Sequence, residues 1–232
     1  MFKSNPCNKL LSFIKYNCPL CQQPANTPIC SSCSSTLPDI KAQCFQCGLP
    51  LETTENGCVL CGQCLQKPPH FDLCISPYHY KEPLNQFITQ LKFHNKLYYA
   101  NILASLLIRK IELLQDNLPE CIIPVPLHSG RLRQRGFNQA LEIARPIAKK
   151  YKIKLDTQSC KRVVATTSQM TQDKSARKEN IRHAFKVKSP FPYQHIAIVD
   201  DVMTTGNTVN ELARVLRSAG AIRIQIWTPA RS

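Results

Sequence analysis

The chain has 232 residues, of which 30 are Lys or Arg and 15 are Asp or Glu, a formal net charge of +15. That length suffices for one full α/β domain with a small satellite, and no apolar run approaches the ~20 residues that would span a bilayer. Residues 1–75 hold five basic against four acidic side chains and the remainder 25 against 11, so the C-terminal two thirds should attract phosphorylated or polyanionic ligands.

At the N-terminus Leu10, Leu11, Phe13 and Ile14 are interrupted by Ser12 and stopped by Lys15. This stretch is too short for the core of an export signal, and the expectation is a cytoplasmic protein with no membrane insertion. Thirteen cysteines in a reducing compartment point to metal rather than to disulfides. Nine of them fall between Cys18 and Cys64, as CPLC, CSSC, CFQC and CVLCGQC. Turn residues such as Pro19, Pro24, Pro28, Pro38, Gly48 and Pro50 break up the segment, so it cannot bury much of a core and needs a metal staple.

Zinc takes four thiolates, and a two-residue gap lets one tight turn supply two of them. The expected sets are Cys18, Cys21, Cys30 and Cys33, then Cys44, Cys47, Cys61 and Cys64. Cys58 also forms a CxxC pair with Cys61 and could replace Cys64, but Gly62 favours the 61/64 knuckle. Two such sites would take residues 1–75 from +1 to about −3, so the metal there replaces a core rather than attracting DNA. Cys7, Cys74, Cys121 and Cys160 are scattered and read as inert small residues. Residues 1–67 are expected to form a zinc-ribbon domain and 68–232 a second domain, with 65–75 (LQKPPHFDLCI) as connector.

Beyond the connector the pattern is α/β. Leu84, Phe87, Ile88 and Leu91 lie on one helical face, and Leu103, Leu106, Leu107, Ile111 and Leu114 predict a second helix. Cys121-Ile122-Ile123 is a short apolar strand ending in Pro124-Val125-Pro126. A helix is expected from about Asn138 to Tyr151, with Leu141, Ala144 and Ala148 inward; Pro146 implies a kink or a late start. Ile196–Val199 is a second buried strand. Val209, Leu212, Ala213 and Leu216 mark a helix ended by Gly220. Ile222, Ile224 and Ile226 alternate as a last strand. Strands alternating with helices imply a mostly parallel sheet.

The most informative stretch is IAIVDDVMTTGNT, 196–208. An apolar strand runs into two carboxylates, Asp200 and Asp201, and then into Thr204-Thr205-Gly206-Asn207-Thr208, where a helix begins. Ligands of open α/β sheets bind at the carboxyl ends of strands. A loop that opens a helix presents free N–H groups and a favourable dipole to an anion. The hydroxyls add donors and Gly206 allows close approach, so 204–208 is a phosphate cradle. The carboxylates suit vicinal sugar hydroxyls or magnesium. A phosphate beside two hydroxyls describes ribose 5-phosphate. The lysine of a P-loop and the spacing of GxGxxG are both missing.

This string resembles the signature of the phosphoribosyltransferases, which bind phosphoribosyl pyrophosphate (PRPP) with magnesium. Asn207 departs from the smaller residue usual there. The resemblance implies a type I phosphoribosyltransferase fold, ribose hydroxyls and catalysis at Asp200 and Asp201, and the 5-phosphate on the 204–208 loop. A narrower resemblance is carried by IIPVPLHSGRLRQRGFNQA (122–140), LKFHNK (91–96) and RKEN with IRHAF (178–185). Together with the cysteine knuckles these look like the ComF-type competence proteins, in order over nearly the whole chain. That resemblance implies a zinc-ribbon head on a phosphoribosyltransferase-like domain, a role in the uptake or handling of incoming single-stranded DNA, and partners in the competence machinery.

On this reading Arg131, Arg133 and Arg135 form a basic loop whose guanidinium forks match pyrophosphate oxygens. Residues 165–180 read as a flap that brings Arg177 and Lys178 to the diphosphate. His183 reads as structural. The strand-binding face would draw on Arg131–Arg135, on Lys149 and Lys150 within 149–154, on Lys161 and Arg162, and on Lys174 to Lys188, including Lys178. Ile226 lies six residues from the last residue, so the expectation is a chain without a C-terminal hood over an acceptor base. Whether the chain is an enzyme is therefore open: an active transferase with an unidentified acceptor and a sensor of PRPP share the same binding residues.

Overall fold

The structure is a computed structural model that describes residues 16–52, 59–112, 118–164 and 183–232. The chain divides into two compact units, one ending at Leu37 and one beginning at Pro38. The second thiolate set therefore lies within the larger unit.

In the smaller unit, β1 (Tyr16–Asn17) pairs antiparallel with β2 (Pro24–Ala25), and a single turn of helix, α1 (Ser31–Ser35), follows. Cys18 N–H donates to the Gln23 carbonyl at 2.9 Å, and Gln22 N–H to the Cys18 carbonyl at 2.7 Å. This tight turn sets the first cysteine pair.

The larger unit is built on a five-stranded, all-parallel sheet in the order β3 (Leu73–Ile75), β10 (Arg223–Trp227), β9 (His195–Val199), β5 (Cys121–Pro124) and β6 (Lys154–Leu155). Ile122, Ile196, Ile198, Ile224 and Ile226 are fully buried, and so are Ala197 and Val199 beside them. The alternation expected at 222–226 is replaced by continuous burial from Ile224 to Trp227, with Ile222 exposed. A central parallel strand is covered on both faces and needs no polar side. β3 emerges from what the sequence presents as connector. Arg217 holds the adjoining stretch, donating to the His70 carbonyl and to both oxygens of Asp72.

The helices follow their apolar faces. Leu84, Phe87, Ile88 and Leu91 are all buried on α3 (Leu84–His94), each contributing about 1.5–3 kcal/mol. Asn95 ends this helix in a left-handed conformation. α4 (Tyr98–Ile111) buries Leu103, Leu106, Leu107 and Ile111; Leu114 lies outside the described residues. α6 (Gln139–Tyr151) starts under the Asn138 cap, whose side chain accepts from the N–H groups of Ala140 and Leu141. Pro146 is thus inside this helix rather than at its start, and Leu141 is only half-buried beside the buried Ala144 and Ala148.

Between β5 and α6 lies a short helix, α5 (Ser129–Arg135), capped by His128 Nδ1 at 3.2 Å from Gly130 N and ended by Gly136 at φ +79°. α7 (Asn207–Ser218) follows β9. Among the described residues the remaining elements are α2 (Gly62–Gln66), the parallel pair β4 (Tyr78–His79) and β11 (Ala230–Arg231), and the antiparallel pair β7 (Cys160–Arg162) and β8 (Phe185–Val187).

Chain order fixes where a ligand can sit. From β5 the chain moves outward to β6, whereas from β9 it moves the other way to β10. The order reverses between β5 and β9, and open parallel sheets bind their ligands at the carboxyl ends of strands flanking such a reversal.

Candidate functional site

A cavity of about 590 Å³ opens at that point. Asp200 and Asp201 enter it from the end of β9 and Thr208 from the first turn of α7. Arg131 and Arg135 come from α5, Arg162 from the end of β7, and Lys92 with Phe93 from the last turn of α3. Four cations thus face two carboxylates, an environment that favours a polyanion whose other end offers hydroxyls or a bound cation.

Lys92 Nζ lies 2.7 Å from Asp201 Oδ1. Burial works against the Lys92 charge, but the Asp201 carboxylate overrides it and holds the ammonium above its usual range. Asp200 receives the N–H of Asp201 on Oδ1 at 2.9 Å. Burial first, then the neighbouring Asp201 carboxylate, pushes the Asp200 carboxyl up to about 7. The two acids thus have different surroundings: Asp201 is ion-paired with Lys92, and Asp200 is placed to accept a cation or a hydroxyl hydrogen bond.

The adjoining loop is conformationally fixed. Gly206 sits at φ +75°, and a Cβ built there would lie 2.6 Å from Met203 Cε. The positive φ favours glycine, and a larger residue would also have to displace the Met203 terminal methyl. Asn207, flagged in the sequence as unusual, is the first residue of α7 and does not occupy the left-handed position. Thr204 and Thr205 are exposed on the loop.

The cysteines form two four-thiolate groups, Cys18, Cys21, Cys30 and Cys33, and Cys44, Cys47, Cys61 and Cys64, each with all sulfurs within 4.8 Å of one another. A tetrahedral ion with bonds of about 2.3 Å sets sulfurs ~3.8 Å apart. The Cys21–Cys30 and Cys47–Cys61 separations are 3.7 and 3.6 Å. Backbone N–H groups already point at sulfur, from Cys33 to Cys30 Sγ at 3.4 Å and from Cys61 to Cys44 Sγ at 3.3 Å. Burial opposes ionisation of Cys44, but backbone N–H donors led by Cys47 and Cys61 outweigh it and bring the thiol down to about 7. Cys47 is instead pushed up to about 11, by burial and by the Cys44 thiolate. Both groups fit zinc. Cys64 completes the second set, and Cys58 lies outside the described residues.

The chain is 37% identical over 222 residues to the DNA utilization protein YhgH of Salmonella typhimurium, an alignment covering 93% of this chain and 96% of that protein. It is 34% identical over 233 residues to competence protein F of Haemophilus influenzae, covering 96% of this chain and 100% of that protein. The chain belongs to the ComF competence family. A shorter similarity, 24% over 155 residues, links it to competence protein ComFC of Streptococcus pneumoniae, over 66% of each chain. No protein-family model matches it.

In this ComF-family chain the sequence-derived candidates fall into three groups. Asp200, Asp201, Thr208, Arg131 and Arg135 share one cavity, while Thr204, Thr205, Gly206 and Asn207 form the adjoining loop and helix start. Arg133 is exposed on α5 and does not line the cavity. The segment expected as a loop is a helix, so residues 131 and 135 stack one turn apart while 133 points away. Lys149 and Lys150 are exposed at the end of α6 and also lie outside the cavity lining; Lys150 pairs with Glu112. Arg177, Lys174 and Lys178, with the 165–180 flap, lie outside the described residues. His183 has φ +61°, and its N–H donates to Glu211 at 2.9 Å.

Sequence reasoning missed Lys92 and Phe93 as members of the site and placed Arg162 on the strand-binding face rather than in the cavity. The signal for the first two was the LKFHNK segment, which was available but pointed to no particular atom.

No helix among the described residues is long and apolar enough to cross a membrane.

Proposed function

We propose that this chain binds PRPP with magnesium in the β5/β9 cavity and acts in natural transformation, in the handling of incoming single-stranded DNA. The carrying observation is the convergence of Asp200, Asp201 and Thr208 with Arg131, Arg135 and Arg162 at the point where strand order reverses. Thr208 and the 204–208 backbone would take the 5-phosphate. The two acids would take the ribose hydroxyls or magnesium. The arginines would face the diphosphate, where charge builds if the bond at ribose C1 breaks. This assignment supports a phosphoribosyltransferase-type fold for 68–232.

The names of the relatives support the cellular half of the reading. One is called a competence protein and another a DNA utilization protein. The basic cavity rim would contact phosphates of a single strand, with Phe93, 68% exposed under the Arg135 guanidinium, as a stacking surface. Deleting the gene in a transformable host should lower transformation while leaving DNA bound at the cell surface. Unchanged transformation would remove the competence role.

A second reading, active transfer of the phosphoribosyl group to a base or amine, draws on the same residues. Pyrophosphate release across a panel of bases and amines separates the two. Release with one acceptor would establish the transferase, and silence across the panel would favour a PRPP-sensing role.

A further inference from the structure

Arg231 is buried, 6% exposed, and lies outside the cavity. Its Nε donates to the Cys47 carbonyl at 3.3 Å. Its Nη1 donates to the Met203 carbonyl at 3.2 Å and to the Thr204 carbonyl. Cys47 belongs to the second thiolate set, and Thr204 opens the phosphate loop. One guanidinium therefore bridges the metal knuckle and the loop, held on both sides by backbone oxygens.

A second line of contact runs beside it. A Cβ built on Gly48, the residue after Cys47, would lie 2.8 Å from Cys74 Sγ. Cys74 Sγ is 3.7 Å from Met203 Sδ. Met203 Cε in turn closes the space beside Gly206. Cys74, which the sequence presents as an inert stray, is the packing link between knuckle and loop. Interiors this close-packed transmit a displaced backbone rather than absorbing it.

We infer that metal at Cys44, Cys47, Cys61 and Cys64 and ligand at the 204–208 loop are thermodynamically coupled, with Arg231 as the positioning residue; this rests on the ribose-phosphate reading of the loop. Bound metal fixes the Cys47 carbonyl. That carbonyl orients Arg231, which holds the Met203 and Thr204 carbonyls and so sets the loop backbone. Without the metal the knuckle loses the geometry that aims the guanidinium. Coupling between binding sites is reciprocal, so PRPP must tighten the metal by the factor by which the metal tightens PRPP.

The test measures the zinc affinity of the full-length holoprotein by equilibrium competition with a colorimetric chelator, with and without PRPP and magnesium. A full-length Cys21→Ser/Cys30→Ser variant, which lacks the first site, isolates the second. Saturating PRPP should tighten zinc at the second site by about fivefold or more. Arg231→Ala should retain its zinc but lose that tightening, and Arg231→Lys should recover part of it. If PRPP binds by calorimetry in the same buffer and the zinc affinity is unchanged, the coupling is wrong and the ligand assignment stands. If PRPP gives no heat with the wild-type holoprotein, the ligand assignment fails and takes the coupling with it. Should Arg231→Ala not fold, the competition measurement without that substitution still decides.

Discussion

Lys92 reaches from the last turn of α3 to Asp201 at the end of β9, placing Nζ 2.7 Å from Oδ1 with both side chains largely withdrawn from water. Removing one partner of such a pair leaves the other buried and uncompensated, whereas replacing both with apolar groups can be close to neutral. Lys92→Met should therefore cost on the order of 2–4 kcal/mol, and adding Asp201→Leu should restore most of it. Urea unfolding of the four proteins in the cycle checks this. Additive losses would show that the two side chains do not depend on each other.

The helical register of α5 separates three arginines that look equivalent in sequence. Arg131→Ala and Arg135→Ala each remove a cation from the cavity lining and should weaken PRPP binding by about tenfold. Arg133→Ala, exposed and outside the lining, should change it by less than about twofold. A titration series reads this directly, and an equal loss for all three would contradict the assigned geometry.

The two thiolate sets should behave differently when broken. Cys44 is fully buried in a cluster with Phe71, Cys74 and Met203, so Cys44→Ser should lose one zinc and destabilise the larger unit by more than about 3 kcal/mol. Cys18→Ser should lose the other zinc. Trp227, the only tryptophan, is buried in β10 and reports on the larger unit alone. Its fluorescence should follow the loss of the second site much more closely than that of the first. Equal unfolding midpoints for the two variants would show that the Cys44 set does not support the sheet.

Glu211 on α7 carries an acid-limb prediction. It accepts from Arg214 at 2.8 and 2.9 Å and from the His183 N–H at 2.9 Å. The Arg214 guanidinium, against a burial penalty, holds its carboxyl below the usual range. The unfolded chain thus binds this proton more tightly. The resulting stability is complete above the unfolded value of about 4.3 and is lost as pH falls through the lower folded value. Glu211→Gln should flatten stability against pH between about pH 5 and 3, measured as urea midpoints. An acid limb as steep as in the wild type would assign that loss to other groups.

Much of this arrangement was legible in the sequence, where the information is local. Two-residue cysteine gaps specify a turn that supplies two thiolates. An apolar strand followed by two acids and a Thr/Gly loop specifies what lies at its own end. What was not legible depends on distant pieces meeting. Lys92 and Arg162 are separated from Asp200 by long stretches of chain, and nothing in their own neighbourhoods shows that they converge on it. α5 escaped notice because it buries no residue and so carries no apolar stripe. β3 looked like connector because an edge strand of three residues is defined by pairing with β10 rather than by its own pattern.

The most direct test of the central claim is calorimetric titration of PRPP with magnesium into the wild-type protein and into Asp200→Asn/Asp201→Asn. Saturable binding of one PRPP per chain, lost in the double variant while Trp227 still reports a folded sheet, is the predicted result. No binding to the wild type, or equal binding to both proteins, would contradict the assignment of Asp200 and Asp201 to a phosphoribosyl ligand.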